Sequence, residues 1–136
     1  MKGNIMMKKN FLAFFLLCLL LLVGASAVYA DSSTLDTPIW DSINGPSVVF
    51  SPTEIALYWK PSTDNVGVAG YYIYRCEGAH CTLPSQPIFK VNASNASFYA
   101  DGTVSKGTTY SYAVASYDKA GNISNQSTVI SVTTSV

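Results

Sequence analysis

The feature that most constrains this chain is a rhythm of short apolar runs that begins at Pro38. The runs are rich in Val, Ile, Tyr, Thr and Phe, and Gly, Pro, Asn or Asp interrupts them about every ten residues. Such runs are typical of β-strands, because branched and aromatic side chains fit the pleated surface of a sheet. No segment after Ala30 shows apolar residues at helical spacing. The sequence therefore predicts an all-β domain.

Seven segments fit strands. They are 37–43, 54–59, 71–75, 87–91, 97–101, 109–118 and 127–134. Alternation of apolar and polar residues within a strand indicates which side chains face the core. The predicted core residues are Trp59, Tyr71, Ile73, Tyr110 and Tyr112. A domain of about 100 residues with seven antiparallel strands fits two packed sheets, so we predict a seven-stranded immunoglobulin-like sandwich.

The N-terminal segment differs from this pattern. Three lysines precede thirteen apolar residues, Phe11–Val23, and small residues follow up to Ala30. A basic start, an apolar stretch and a small-residue end are the order of a secretory signal peptide. The alternative is an uncleaved membrane anchor, but the apolar run is shorter than the roughly 20 residues of a spanning helix.

Cleavage after Ala30 divides the chain into three predicted parts. These are a signal peptide with a short apolar helix at 1–30, a flexible polar leader at 31–37 and the β-domain at 38–136. We therefore expect export to the periplasm or the cell exterior, with no stable membrane span after cleavage.

The charge of the exported part argues against nucleic acid as a partner. It keeps five basic and eight acidic residues, which gives a net charge of −3. Binding to nucleic acid needs a clustered basic face, and this sequence offers none. The expected partner is a protein or a polysaccharide outside the cytoplasm.

Two cysteines, Cys76 and Cys81, remain after cleavage and enclose a short loop. An even number of cysteines in an exported protein predicts a disulfide. Free thiols and a metal site are the alternatives. A zinc site wants three or four protein ligands, and the loop adds only Glu77 and His80. We expect a disulfide that holds this loop, with His80 as a solvated bystander.

Three stretches of the sequence match a known family in order and spacing. They are LYWKPSTDNVGVAGYYIYR, YADGTVSKGTTYSYAVASYDKAGNIS and ISVTT. Together they resemble a fibronectin type III domain, of the kind attached to secreted bacterial polysaccharide-degrading enzymes. The resemblance covers roughly residues 38–134. It implies that Trp59 is the core tryptophan of the second strand, that Tyr71 and Ile73 are the core pair of the third, and that Tyr110 forms a tyrosine corner.

The sequence departs from the family pattern in two places. The stretch between the first two predicted strands is a few residues longer than usual, and the cysteine loop is an addition. The family's integrin-binding Arg-Gly-Asp is replaced by DKAGN before the last strand, so that activity is not expected here.

No motif of an enzyme accompanies the fold. The sequence lacks a Gly-x-Ser-x-Gly elbow, a His-Glu-x-x-His pair and a phosphate-binding glycine loop. Three of its aspartates, Asp64, Asp101 and Asp118, fall where turns are predicted. We therefore expect a protein that is not an enzyme, with no cofactor and no metal.

One pair of residues indicates binding. Tyr72 and Tyr74 are predicted to point away from the core, beside the outward Ser111, Ala113 and Ala115. Large aromatic rings beside small residues would make a flat platform for a sugar ring or a protein partner. The alternative is that the two tyrosines only cover their neighbours on the sheet.

Three functions are consistent with these observations. The first is a secreted, non-catalytic binding module made of one fibronectin type III domain. The second is a carbohydrate-binding accessory protein that uses Tyr72 and Tyr74. The third is an adhesin-like or structural spacer subunit that docks through a sheet edge.

Overall fold

The structure is a computed structural model, and it describes residues 35–42 and 45–136. All of these residues belong to one unit of the chain, Asp31–Val136. The predicted signal peptide at 1–30 and the first four residues of the predicted leader lie outside the described residues. Within the described ranges, no helix has the length and the apolar character that crossing a membrane requires.

The described residues form eight β-strands and no helix. Strands β1 to β8 are Ile39–Trp40, Ser47–Ser51, Glu54–Lys60, Val68–Glu77, Phe89–Val91, Phe98–Asp101, Thr109–Asp118 and Ile130–Thr133. All the pairings between them are antiparallel, and they form two four-stranded sheets. The prediction of an all-β sandwich is confirmed.

Strand β3 is the centre of the first sheet. On one side it pairs with β1 near its end, where Trp40 is opposite Trp59, and with β2 near its start, where Val49 is opposite Ile55. On the other side it pairs with β6, where Tyr58 is opposite Phe98. This sheet therefore presents three adjacent rows of side chains on each face.

The second sheet has the order β5-β4-β7-β8. Its centre is the long pair of β4 and β7, ten residues each, with Tyr72 opposite Ala115 and Tyr74 opposite Ala113. The register of β4 with β5 places Lys90 opposite Tyr72. These pairings bring the outward side chains of β4, β5 and β7 together on one face.

The core lies between the sheets and contains the side chains that alternation assigns to it. Trp59, Tyr71, Ile73, Tyr110 and Tyr112 are all buried in one apolar cluster. The rings of Trp59 and Tyr71 contact each other, with centroids 5.3 Å apart. Burial of large side chains such as these stabilises a fold by about 1.5–3 kcal/mol each, so this cluster is the main source of stability.

The number of strands differs from the prediction. Strand β2, Ser47–Ser51, lies in the stretch that connects the first two of the seven predicted strands. Gly45, Pro46 and Pro52 surround it, and its pairing with β3 shifts register between Val49 and Ser51. Because turn residues flank this short strand on both sides, the alternation of apolar and polar residues does not indicate it.

The end of the predicted flexible leader is attached to the sandwich. Leu35 is buried, and the backbone nitrogen of Asp36 donates a 3.2 Å hydrogen bond to the carbonyl oxygen of Thr63. The Ser116 hydroxyl donates a 3.0 Å hydrogen bond to the Asp36 carbonyl oxygen. Residues 35–37 therefore pack with the sandwich, ahead of the predicted boundary at Pro38.

Trp40 joins the beginning of the domain to its end. The indole nitrogen of Trp40 donates a 2.7 Å hydrogen bond to the carbonyl oxygen of Thr128, 88 residues further along the chain. Its ring lies in the core cluster with Trp59. The first strand is thus held by the segment that precedes the last strand as well as by its neighbour β3.

Candidate functional site

Tyr72 lies on the outer face of the second sheet, where it contacts a second tyrosine. The register of β4 with β7 places Tyr117 opposite Gly70, one outward position along β4 from Tyr72. The ring centroids of Tyr72 and Tyr117 are 4.6 Å apart, and the interplanar angle is 32°. These two residues are called the tyrosine pair below. They are diagonal neighbours on adjacent strands, and aromatic side chains are long enough to make contact across that distance.

Lys90 joins the tyrosine pair from strand β5. Its ammonium nitrogen lies 4.3 Å from the centroid of the Tyr117 ring and 5.5 Å from that of the Tyr72 ring. A cation over an aromatic face is attracted to it by roughly 0.5–1 kcal/mol at exposed sites. Lys90 is itself exposed, so the two rings orient a charge that solvent or a ligand can reach.

Tyr117 reaches across β4 because Gly70 has no side chain. A Cβ atom at Gly70 would lie 2.5 Å from the Tyr117 hydroxyl oxygen and 2.0 Å from the carbonyl oxygen of Val91. In the absence of that atom, the Tyr117 hydroxyl donates to Asn92 Oδ1 at 2.7 Å and lies 3.3 Å from the Val91 carbonyl oxygen. The Tyr117 ring is thus held by the β7 backbone at one end and by its hydroxyl group at the other. The residue is only 6% exposed.

An open cleft of about 450 Å³ lies beside the tyrosine pair. Its walls include both tyrosines, Lys90, Asn92 and the turn at 118–121. Asp118 holds this turn, since its carboxylate accepts hydrogen bonds from the backbone nitrogens of Gly121 at 2.7 Å and Asn122 at 2.8 Å. The volume falls in the range of small-molecule sites, and the groups on its walls can donate hydrogen bonds.

Tyr74 does not contribute to this surface, contrary to the prediction of an exposed platform. It points to the same face as Tyr72 but is only 5% exposed. Its hydroxyl is hydrogen-bonded to the side chain of Gln126, in the segment between β7 and β8, and burial raises its pKa. A side chain from outside the strands therefore contacts Tyr74 on the outer face.

The cysteine loop is closed by a disulfide between Cys76 and Cys81, as predicted. Further hydrogen bonds hold the loop against β7. The Gly78 nitrogen donates to the Thr109 carbonyl oxygen at 2.8 Å, and the Ser111 hydroxyl donates to the Gly78 carbonyl oxygen at 2.6 Å. His80 is exposed at the tip. The loop is fixed at the end of β4, away from the tyrosine pair along the strand.

A buried carboxylate lies at the end of β6. Asp101 is fully buried and forms a 2.7 Å ion pair with the guanidinium of Arg75. It also accepts hydrogen bonds from the Tyr112 hydroxyl at 2.9 Å and from the Thr103 hydroxyl and backbone nitrogen at 2.7 and 3.0 Å. Arg75 lies 4.9 Å from the centroid of the Tyr110 ring. These contacts join β4, β6 and β7 across the two sheets.

The same contacts set the charge states of this group. Burial alone would raise the pKa of Asp101, but the hydrogen bonds from Thr103, Tyr112 and Arg75 outweigh it and hold that pKa below its ordinary value. Burial and the neighbouring carboxylate raise the pKa of Tyr112 far above its ordinary value. Asp101 is therefore an anion and Tyr112 a neutral hydrogen-bond donor at neutral pH.

Tyr110 occupies the place of a tyrosine corner. Its hydroxyl oxygen accepts a 2.9 Å hydrogen bond from the backbone nitrogen of Ser105, five residues earlier. The bond fixes the connection between β6 and β7, which carries Val104 into the core. Tyr110 and Tyr112 thus both use buried rings and hydrogen-bonded hydroxyl groups to fix β7.

Two residues of the candidate site were missed by the sequence analysis. The alternation that puts Ser111, Ala113 and Ala115 on the outer face predicts the same for Tyr117 if it is extended by one step. Lys90 gives no comparable signal, because its position depends on the register of β5 with β4. Among the described residues, no three His, Cys, Asp or Glu side chains are grouped as metal ligands would be.

The sequence is similar to segments of two bacterial chitinases, although no family model matches it. Chitinase Chi52 of Paenibacillus xylanexedens is 46% identical over 83 residues, which are 61% of this chain and 14% of that protein. Chitinase D of Niallia circulans is 42% identical over 89 residues, which are 65% of this chain and 15% of that protein. The chain therefore spans only a small part of the length of these relatives.

The structure is similar to solved fibronectin type III domains. The solution structure of such a domain from human fibronectin type III domain containing protein 3 superimposes with a TM-score of 0.55 and 21% sequence identity. The match covers 82% of this chain and 93% of that one. With its two four-stranded sheets and its buried tryptophan and tyrosines, the described part of this chain has the fibronectin type III fold.

Proposed function

We propose that this protein is an exported, non-catalytic binding module that holds a polysaccharide at the cleft beside the tyrosine pair. The observation that carries the proposal is the position of Lys90, whose ammonium lies over the rings of Tyr72 and Tyr117 at the mouth of the cleft. A sugar unit needs hydrogen-bond donors for its oxygens and aromatic surface for its C–H groups. Lys90 supplies a donor here, and the exposed part of the Tyr72 ring supplies the aromatic surface.

The names of the relatives support a polysaccharide as the ligand. Both are chitinases, and the segments that match this chain are a small share of each protein. A segment of that size is a module attached to a larger enzyme. We infer that the present chain carries out the corresponding accessory role, which is to attach to the polymer and leave its cleavage to other domains or proteins.

Two of the carboxylates hold the structure together. Asp101 is buried in its ion pair with Arg75. Asp118 accepts hydrogen bonds from its own turn, including one of 2.7 Å from the Asn122 side-chain amide. Glycoside hydrolysis requires two carboxyl groups that face each other across the substrate. Neither of these two is available for that role, which supports a non-catalytic module.

Export is supported by the N-terminal sequence and by the disulfide. The order of basic, apolar and small residues before Asp31 is that of a signal peptide. The Cys76–Cys81 bond requires an oxidising compartment such as the periplasm or the cell exterior. The intact mass of the protein recovered from cells that express the full chain tests cleavage at Ala30.

Calorimetric titration with soluble sugars tests the binding proposal. The probes are chitohexaose, cellohexaose and maltohexaose, and we expect at least one to bind. Tyr72→Ala and Lys90→Ala should each weaken that binding about tenfold, which corresponds to the roughly 1.4 kcal/mol of one aromatic or charged contact. Lys106→Ala removes an exposed lysine at the β6–β7 connection and is the matched control.

The result that contradicts the proposal is equally specific. If none of the three sugars binds at millimolar concentration, or if Tyr72→Ala and Lys90→Ala bind as the unmodified protein does, the cleft is not a glycan site. Thermal unfolding of each variant shows whether a loss of binding reflects a loss of structure.

A further inference from the structure

We propose that the outer face of the first sheet binds a second copy of this chain in a two-fold symmetric dimer. The face is formed by the outward residues of β3 and by the residues of β6 that pair with them. Ile55, Leu57 and Trp59 of β3 are buried in the core, so the alternate residues of that strand lie on the opposite face. These residues are Glu54, Ala56, Tyr58 and Lys60.

The middle of this face is apolar. Tyr58 pairs with Phe98, and their ring centroids are 5.2 Å apart. Ala56 pairs with Ala100; Ala56 is fully buried, and Ala100 is the exposed small residue beside the two aromatic ones. Phe98 is 46% exposed. Half-exposed aromatic side chains in the middle of a sheet face are typical of interaction sites.

Charges of opposite sign close the two ends of the face. Glu54 begins β3 and Lys60 ends it, about 20 Å apart at the rise of a β-strand. Neither residue forms an ion pair with another residue in the described part of the chain. The face therefore carries an acidic end, an apolar centre and a basic end in a line along one strand.

This order is self-complementary under a two-fold axis. The axis lies in the plane between the two faces, perpendicular to β3 and level with Leu57. It makes the two β3 strands antiparallel. Phe98 then faces Ala100 of the second copy, and Tyr58 lies over the position of the buried Ala56. Glu54 faces Lys60. Large side chains meet small ones, acidic meets basic, and each contact occurs twice, as an isologous interface requires.

The edge strands follow the same symmetry. Ile39 pairs with Lys60 at one end of β3, and Ser51, which follows Phe50, pairs with Glu54 at the other. The axis therefore brings Ile39 of one copy near Phe50 of the other. Both are exposed in the monomer, by 67% and 58%. An exposed apolar residue on each side of the axis would be covered by the same dimer.

The dimensions of the face predict a weak dimer. Seven residues of β3 and three adjacent strands give a face of roughly 23 Å by 14 Å, which is smaller than stable specific interfaces and is the size of a weak, transient contact. We expect a protein that is monomeric at about 5 µM and largely dimeric at about 1 mM, the behaviour of a small transient interface. This association is independent of the cleft at the tyrosine pair, which lies on the other sheet.

Sedimentation equilibrium of the protein recovered from cells that express the full chain tests the dimer. Lys60→Glu places like charges at both ends of the interface and should raise the dissociation constant about tenfold. Glu54→Lys should do the same. The double variant with both exchanges restores opposite charges and should return the constant to within about threefold of the original. Lys106→Glu changes the charge by the same amount away from the face and is the control.

The charge exchange separates this dimer from nonspecific association. A protein that stays monomeric at 1 mM contradicts the proposal. So does a dimer that Lys60→Glu leaves unchanged, or one that the double exchange fails to restore, because in those cases the two chains do not meet in this register. Circular dichroism of each variant establishes that the fold is retained.

Discussion

The hydroxyl of Tyr112 donates a 2.9 Å hydrogen bond to the carboxylate of Asp101 between the two sheets. The same carboxylate oxygen accepts a 2.7 Å hydrogen bond from Arg75. Three strands thus depend on one buried anion. A charge without its partners in such a site is costly, because water cannot solvate it.

Replacement of Asp101 by asparagine should strongly destabilise the domain. The variant keeps the shape of the side chain but leaves Arg75 without its counter-charge. We expect the free energy of unfolding to fall by about 3 kcal/mol, measured by urea denaturation. Glu77→Gln makes the same chemical change at an exposed position and should change stability by less than about 0.5 kcal/mol. Equal effects of the two changes would contradict a structural role for the buried pair.

Acid should remove the contribution of Asp101. Its pKa in the folded domain lies below the ordinary value, which is about 3.9 in an unfolded chain. The ion therefore stabilises the fold fully above that value, and the stabilisation is lost as pH falls through the lower pKa of the folded state. Thermal midpoints measured from pH 7 to pH 2 should converge for the unmodified protein and Asp101→Asn below about pH 4. A constant difference over this range would show that the carboxylate does not titrate as expected.

Gly70→Ala should disturb the tyrosine pair. The added Cβ would lie 2.0 Å from the Val91 carbonyl oxygen and 2.5 Å from the Tyr117 hydroxyl, so β5 or the ring must move. We expect a loss of about 2 kcal/mol or more in stability. Gly102→Ala is the control, because nothing lies within 4 Å of its added Cβ. Similar stabilities of the two variants would mean that Tyr117 does not need the space above Gly70.

The disulfide should contribute modestly to stability. Its ring joins residues only five apart, and short rings remove little entropy from the unfolded chain. Replacement of both Cys76 and Cys81 by serine should lower the free energy of unfolding by about 2 kcal/mol, measured by urea denaturation without reductant. Complete unfolding of this variant would contradict the interpretation of the bond as a clip on one loop.

The alternation of side chains was sufficient to predict the sandwich and its core. Trp59, Tyr71 and Tyr112 each follow from a strand with one apolar face, and the structure buries all three. Strand β2 could not be predicted in the same way. It is short, it lies between turn residues, and its register shifts within five residues. Its existence depends on the pairing with β3, which is a tertiary contact.

The candidate site was only partly predictable for a related reason. Alternation put Tyr72 and Tyr74 on one face, and both are there. It could not show that Gln126 reaches Tyr74 from a segment outside the strands. It also could not place Lys90 beside Tyr72, since that contact depends on how the chain between β4 and β5 returns to the sheet. The face on which a side chain lies follows from the local sequence of its strand. Its neighbours on other strands depend on how the strands pair.

The bond from Trp40 to the carbonyl oxygen of Thr128 has a consequence for biosynthesis. It spans 88 residues, so the start of the domain waits for its partner until most of the polypeptide has left the ribosome. Until then β1 can already pair with β3, but the indole of Trp40 lacks its hydrogen-bond acceptor. The first strand therefore completes its hydrogen bonding only when synthesis of the domain is nearly finished.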